Sequence, residues 1–434
     1  MKKLIIAASL SSILGLFSCK KETVTSTSPE EIVTGKPTSP SPPPSILQWQ
    51  RCLGTSTDEF GNAVAKTSDG YFVAGTTGAA GSHDVIVTKI DLNGNPGWIS
   101  PVIVGGSATD EAYGVVKTPD GGCLVAGVSS SIDGDFNGLN KGGSDVLLIK
   151  LSPSGSKEWV KTIGGSGGDR ANALITTSDN AYALTGYTTS TDGDVVPSEV
   201  NGTARVWLVK FTITNEGPVI QWQKTIGDPD NISRHGYSLA QAANGGFIIA
   251  GTVYTDPDPD IWIINTDNAG IVNWTKRISS GTSADVAFGV TTSTDGYLVT
   301  GYLSYSNLVV AKLKLDGSDD WQKTFSAGSA TGSIRGRSVI STSDGDIIVG
   351  TTNSRNGAII ASKGSDDLFV LRLNDATGDM IGTPYVLGGN KSDAGYHVIP
   401  TDGGYVVVGN TYSNNADVSG NHGGSDMWAV KFKF

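Results

Sequence analysis

The chain has 434 residues, among them 58 Gly, 17 Pro, 3 Cys and 3 Met, and a formal net charge of -11. Gly at nearly twice its usual share, without a three-residue period, excludes a collagen-like helix, and 38% hydrophobic residues exclude a wholly disordered chain. The acidic balance excludes a nucleic-acid binder that works by neutralising phosphates.

Lys2 and Lys3 precede an apolar run from Leu4 to Phe17 that is too short to span a bilayer and reads as a secretory signal. The run ends Leu16-Phe17-Ser18-Cys19, with Leu three residues before the Cys and a small residue directly before it. This arrangement resembles a bacterial lipobox, with Phe17 bulkier than the usual residue there. The resemblance implies cleavage after residue 18 and lipidation of Cys19, which anchors the protein to a membrane without spanning it. Lys20 stands where many inner-membrane lipoproteins carry Asp, so the implied destination is the outer membrane. Residues 19–45 are rich in Ser, Thr and Pro and read as a tether, extended in its Pro-rich half.

From Leu47 the chain repeats itself. Trp49, Trp98, Trp159, Trp222, Trp274 and Trp321 recur in similar surroundings, and Tyr385 takes the seventh place. Each repeat carries four short strand signals: one after a Gly-rich turn (Ala112 to Val116), one after an Asp-Gly step (Gly122 to Gly127), one running from Asp to a base (Asp145 to Lys150), and one carrying the Trp (Lys157 to Ile163). The chain opens on a fourth strand (Leu47 to Leu53) and ends on a third (Asp426 to Phe434). The expected fold is therefore all-β: a seven-bladed β-propeller over 46–434, closed by pairing the N-terminal strand with the C-terminal blade. The repeat, with its W-x-K-[TR]-x-G-G, T-x-D-G-G and D-x-[WL]-[VIL]-x-K elements, resembles the bacterial β-propeller repeats of exported proteins and lipoproteins. That resemblance implies a binding or scaffold module and assigns no chemistry.

Several repeated residues read as structural. The Asp-Gly steps at Asp69, Asp120, Asp295, Asp344 and Asp402 suit hairpins. The third-strand bases Lys89, Lys150, Lys210, Lys312, Arg372 and Lys431 suit salt bridges, and the Trp residues suit packing between blades. Cys52 and Cys123 fall on different blades and are expected to be free thiols. Asp58, Asp110, Asp169, Asp285 and Asp393 stand at the start of the innermost strands, where they cap Gly-rich turns or form an acidic ring for a cation.

Alternating strand direction puts the long connections 128–144, 187–204, 351–366 and 410–425 on one face, the expected functional face. Asp133-Gly-Asp135-Phe-Asn137-Gly138 starts like a calcium loop, with Asp145 just beyond the twelfth position, and makes calcium the one candidate cofactor. Asp192-Gly-Asp194 and Asp417 to Asn421 are weaker echoes. Arg335, Arg337, His235, His397, Tyr302 and Tyr412 fall near the mouth of the central channel and form a candidate binding set, beside Arg234, Tyr187, Tyr254 and Tyr305. No spacing defines an acid–base pair. The expectation is a lipid-anchored, monomeric, non-enzymatic module that binds an envelope protein; the alternative is a glycan-binding or glycan-processing surface lipoprotein.

Overall fold

In a computed structural model the described residues are 46–434 apart from 79–81, 197–202, 229, 256–257, 282, 330 and 362. The expected signal peptide, Cys19 and the tether lie outside them. The described residues form seven four-stranded antiparallel sheets. Blade 1 comprises Glu59–Lys66, Gly70–Thr77, Asp84–Asp91 and Val102–Val104 from the axis outward. Blades 2 to 6 repeat this order, with innermost strands Asp110–Lys117, Asp169–Thr176, Arg234–Gln241, Val286–Thr292 and Ile334–Thr342. Blade 7 joins Asp393–Thr401, Gly404–Thr411 and Asp426–Phe432 to the N-terminal strand Leu47–Leu53, with Leu47 opposite Phe432 and Cys52 opposite Trp428. The expected closure is therefore present.

A blade's second and third strands are covered on both faces by neighbouring blades, which is why they read as unbroken apolar runs: every residue of Gly70–Thr77 and Asp145–Leu151 is buried. The fourth strands alternate with solvent, as in Val272–Ile278. The core lies between blades. One cluster joins Phe72 and Val85 of blade 1 to Val125 and Leu147 of blade 2, and another joins Val73 of blade 1 to Val408 and Ala429 of blade 7.

The Trp residues clasp six of the seven blades to the next. Trp49 Nε1 donates to Leu92 O (3.1 Å), Trp98 to Pro153 O (3.0 Å), Trp159 to Thr214 O (3.1 Å), Trp274 to Leu315 O (3.1 Å) and Trp321 to Asp375 O (2.8 Å). Each acceptor sits in the hairpin between the third and fourth strands of the following blade. That hairpin's Gly lies against the same ring: Gly94 on Trp49, Gly155 on Trp98, Gly270 on Trp222, Gly317 on Trp274 and Gly378 on Trp321, all at positive φ. Only Trp98 and Trp159 of these six are buried, each 8% exposed. Trp98 also precedes its strand, which is cut to Val102–Val104 between Pro96 and Pro101, residues with no N–H for the ladder.

The third-strand lysines pair with the turn between strands one and two: Lys89 with Asp69 (2.8 Å), Lys150 with Asp120 (2.7 Å), Lys210 with Asp179 (2.6 Å) and Lys312 with Asp295 (2.8 Å). The Lys210 ammonium holds Asp179 down at about 2. Arg372 instead lies over the Phe434 ring. Positive φ accounts for the turn glycines Gly121, Gly345 and Gly403, whereas Gly70 and Gly296 have no room for a Cβ against the carbonyls of Ile90 and Leu313. Cys52 and Cys123 are free, and burial pushes both thiols up to about 12.

The acids that open the innermost strands cap the turns between blades. Asp110 Oδ2 accepts from Gly106 N (2.9 Å), Asp169 Oδ2 from Gly165 N (2.8 Å), Asp393 Oδ2 from Gly389 N (2.6 Å) and Asp285 from Ser280 N (2.5 Å). All four are fully buried. In blade 1 this place belongs to Glu59, which accepts from Thr55 N (3.0 Å), and Asp58 turns instead to Ser425 N (2.7 Å). These side chains hold junctions and do not ring the mouth. At three junctions a second carboxylate, from the preceding blade's third strand, meets the cap at the junction glycine: Asp145 and Asp169 at Gly164, Asp426 and Glu59 at Gly54, and Asp367 and Asp393 at Gly388.

Two outcomes follow from this architecture. Gly317→Ala combines φ +82 with a Cβ 2.7 Å from the Trp274 ring, and Gly382→Ala has φ +75 with open space around it. Denaturant melts are expected to show a loss of about 1–3 kcal/mol for the first and a clearly smaller loss for the second; equal losses would remove the Trp clasp. Burial, with the Asp169 charge adding, pushes Asp145 up to about 6 from 3.8, although the Lys141 N–H opposes the shift. The folded state then holds this proton more tightly than the unfolded chain, so Asp145 contributes stability at low pH that is lost as pH rises through about 6. Asp145→Asn is expected to raise the melting temperature at about pH 7.5 and to leave it nearly unchanged at about pH 4.5.

Candidate functional site

Seven bulges build the channel wall. In each innermost strand the register slips by one between two small or polar residues, from Gly61/Ala63 in blade 1 to Gly395/His397 in blade 7. The extra residue, Asn62, Tyr113, Asn172, Tyr237, Phe288, Arg337 or Tyr396, lines a central channel of about 500 Å³. A bulge re-aims one side chain while the ladder continues on either side, and here it does so toward the axis seven times. Asn62 and Asn172 reach the next blade, donating to Ala112 O (2.9 Å) and Gly236 O (2.8 Å).

Two residues nearer the long-loop face, the strands carry Phe60, Glu111, Arg170, His235, Val286, Arg335 and Ala394. Aromatic rings form an arc there. His235 stacks on Tyr187 at 4.2 Å and touches Tyr237 and Tyr254, Tyr237 packs on Phe288, and Phe288 on Tyr302, which stacks on Tyr305. Tyr237 Oη bonds Tyr254 Oη at 2.9 Å. Burial, with the Arg170 charge behind it, pushes His235 down to about 4, so it is neutral at pH 7. Arg335 lies over Tyr302 at 5.4 Å, Arg337 over Phe288 at 4.2 Å and Tyr396 at 5.7 Å, and Tyr412 meets Phe60 edge-on.

Of the candidate binding set, Arg335, Arg337, His235 and Tyr302 therefore share this mouth. Tyr412 shares a pocket of about 270 Å³ with both arginines, Tyr396, Asn410 and Asp366. His397 does not belong with them. It follows the bulge, so its side chain turns to the adjoining blade, where Nδ1 accepts from Val64 N (3.1 Å). Ser238 and Ser338 do the same for Val290 N and Val398 N. Arg234 is tied to Asp230 (2.6 Å) and Asp228 (3.0 Å). The bulged aromatics and Arg170 were missed in the sequence; the small residue on one or both sides of each, as in Gly-Asn-Ala and Ala-Tyr-Gly, was the available signal.

The candidate calcium ligands do not converge. Asp133 Oδ1 accepts from Ser107 N (2.7 Å) and Asp135 Oδ2 from Gly105 N (3.2 Å), while Asp135 Oδ1 pairs with Lys157. Asp145 Oδ2 accepts from Lys141 N (2.7 Å) at the far end of the loop. The backbone of Asn137 follows a single 3-10 turn, Gly134–Phe136. Among the described residues no group of three or more His, Cys, Asp or Glu side chains is arranged to hold a metal. The two echoes repeat the clasp: Asp192 takes Ser166 N (2.7 Å) and Asp194 takes Gly164 N (3.1 Å); Asn415 takes Asn390 N (2.9 Å) and Asp417 takes Gly388 N (3.1 Å). Lys141 and Lys363 pair with Asp194 and Asp417. Alternating oxygens thus pin three of the four long loops to the turn that enters their own blade.

No family model matches this sequence, and no curated protein matches it. Among solved structures the chain is similar to the polysaccharide lyase Uly1, at 13% identity over 86% of this chain and 90% of that one, with a TM-score of 0.51. It is also similar to the WD40 domain of Pan2 from Neurospora crassa, at 9% identity over 87% and 92%, TM-score 0.49. A third is Sqt1 of Chaetomium thermophilum bound to the N-terminus of ribosomal protein L10, at 12% identity over 88% and 98%, TM-score 0.46. At such identities the likeness speaks for the fold alone, the seven-bladed β-propeller that the strand pairing already displays.

Proposed function

We propose that this protein is a non-enzymatic recognition module, tethered to the outer membrane through lipidated Cys19, that holds an envelope protein on its long-loop face. One observation carries the reading. The loops end in exposed apolar side chains, Ile132 at 71%, Val196 at 59% and Ile360 at 52% exposure, on backbones that are themselves tied down. The loop of Ile132 is held by Asp133 and Asp135, that of Val196 by Asp192 and Asp194, and that of Ile360 by Ser354 Oγ on Ala327 O (2.8 Å) and Ala358 N on Ser326 O (2.8 Å). Apolar groups kept in water on ordered backbone serve association, because a partner gains their burial without the entropy of ordering the loops.

The aromatic arc from Tyr187 to Tyr305 favours the glycan reading as the second one, since sugar rings stack on such faces. Retardation in a polysaccharide-cast native gel that Tyr302→Ala abolishes would establish it.

The first reading is tested in the full-length protein. Photo-crosslinkers at positions 132 and 360 are expected to capture one envelope protein that the triple variant Ile132→Ser, Val196→Ser, Ile360→Ser no longer binds. Equal capture by a crosslinker at Asn93, on the opposite face, would overturn it. Cys19→Ser is expected to abolish palmitate labelling and to move the protein to the soluble fraction, and labelling that persists would overturn the anchor.

A further inference from the structure

We propose that the pocket between blades 6 and 7 is an anion site in which Arg335 and Arg337 together receive one carboxylate of a protein partner, an acidic side chain or a chain end. The proposal rests on the partner-binding reading above and names the chemistry that the partner must bring.

The two guanidiniums stand apart from the protein's other channel-side arginines. Arg170 pairs with Glu111 (3.8 Å) and donates from Nε to Asn172 Oδ1 (2.8 Å), and Arg234 is held by two aspartates. Arg335 and Arg337 have only aromatic rings: among the described residues neither forms an ion pair or donates a hydrogen bond, and both Nε atoms are buried without an acceptor. Each guanidinium carries five N–H donors. Leaving the buried Nε–H of each without an acceptor is unfavourable, and placing two like charges side by side adds to it. Burial, with Arg335 adding, draws the Arg337 guanidinium below its ordinary value. In a chain of net charge -11 an acidic partner for them would be easily supplied, yet the one acid on the pocket wall, Asp366, accepts from Ser392 Oγ (2.9 Å).

The pocket is shaped for a small anion. Its volume of about 270 Å³ takes one acidic side chain, Phe60, Tyr396 and Tyr412 supply flat walls, and Ser333 and Thr351 supply hydroxyls. Stacking on Tyr302, Phe288 and Tyr396 fixes the planes of both guanidiniums before anything binds, so a carboxylate meets donors already in place. The pocket opens at the start of the innermost strands, on the face that carries Ile132, Val196 and Ile360. A half-buried cationic socket on the same face as exposed apolar groups, with Ile360 on the loop of its own blade 6, fits a protein surface that presents an acid among apolar residues.

Ligand-observed NMR on the full-length protein in low salt tests this with N-acetyl-L-glutamate, D-glucuronate, inorganic phosphate and neutral N-acetyl-L-glutamine. N-acetyl-L-glutamate is expected to bind, about tenfold more weakly after either Arg335→Gln or Arg337→Gln and more weakly at high salt, with no binding of N-acetyl-L-glutamine. Melting curves accompany the variants: loss of an uncompensated cation leaves the free domain at least as stable, whereas a purely structural arginine would lower the melting temperature and overturn the site. Silence from every acid, or binding unchanged in both variants, overturns it as well. Binding of glucuronate or phosphate without N-acetyl-L-glutamate overturns the proteinaceous occupant. If the triple loop variant loses its partner while no acid binds, the partner reading stands and this site falls.

Discussion

A four-stranded blade has two apolar faces and can cover neither by itself, so contact between successive blades is the constraint on which everything else depends. The chain meets it at two radii. Far from the axis, a Trp from one blade reaches the hairpin of the next, donating to a carbonyl and lying against a Gly that has no side chain to obstruct it. Near the axis, in five of the seven blades, the acid at the start of the innermost strand takes amides of the turn between blades. The Trp contact joins apolar area to a hydrogen bond, and the carboxylate contact satisfies backbone donors that are out of reach of water. Between these radii lie clusters of Val, Ile and Leu contributed by pairs of blades.

The same economy shapes the loop face. The long loops are drawn down onto the turns beneath them, three by Asp and Asn oxygens and the fourth by Ser354 and Ala358, and the apolar tips of three of them are thereby presented at fixed places. Inside the mouth, bulges turn seven side chains to the axis, five of them aromatic or cationic. Most of the polar ones have partners: Asn62 and Asn172 donate to carbonyls of the next blade, Tyr113 bonds Glu111, and Tyr237 bonds Tyr254. The Arg335–Arg337 corner is the exception, and its difference from Arg170 and Arg234, which occupy equally crowded surroundings with their acids in place, is what sets it apart as a receiving site.

The architecture was legible because each blade is built from the same local signals. Leu47–Leu53 and Lys157–Ile163 fall where the β-branched and aromatic runs place them, and the recurring Trp announces the period. What escaped was set by neighbours distant in sequence. The D-x-D loop at Asp133 carries alternating oxygens that would suit a cation or a row of amides equally, and only the position of Gly105 and Ser107 beneath it decides for amides. His397 lies one residue past a bulge, and a single-residue slip exchanges the two faces of a strand, so its Nδ1 serves Val64 N of the adjoining blade and the side chain does not join the arginines at the mouth. Glu59, opposite Thr77, holds the register place that Asp110 holds opposite Ser129, and so it and not Asp58 takes the cap in blade 1.

Ring closure also fixes an order of events. Leu47 pairs with Phe432, so the first strand of the domain to be made must wait for the last one before the seventh sheet exists. Pairing over such a separation pays its loop entropy late, and until then two strand edges stand open, one on Leu47–Leu53 and one on the last strand made. A chain cut short before Asp426 would keep the N-terminal strand as an unpaired, half-apolar edge able to add to any other sheet. The circle is thus its own check on completeness, because only a chain delivered to its final strand leaves no edge exposed.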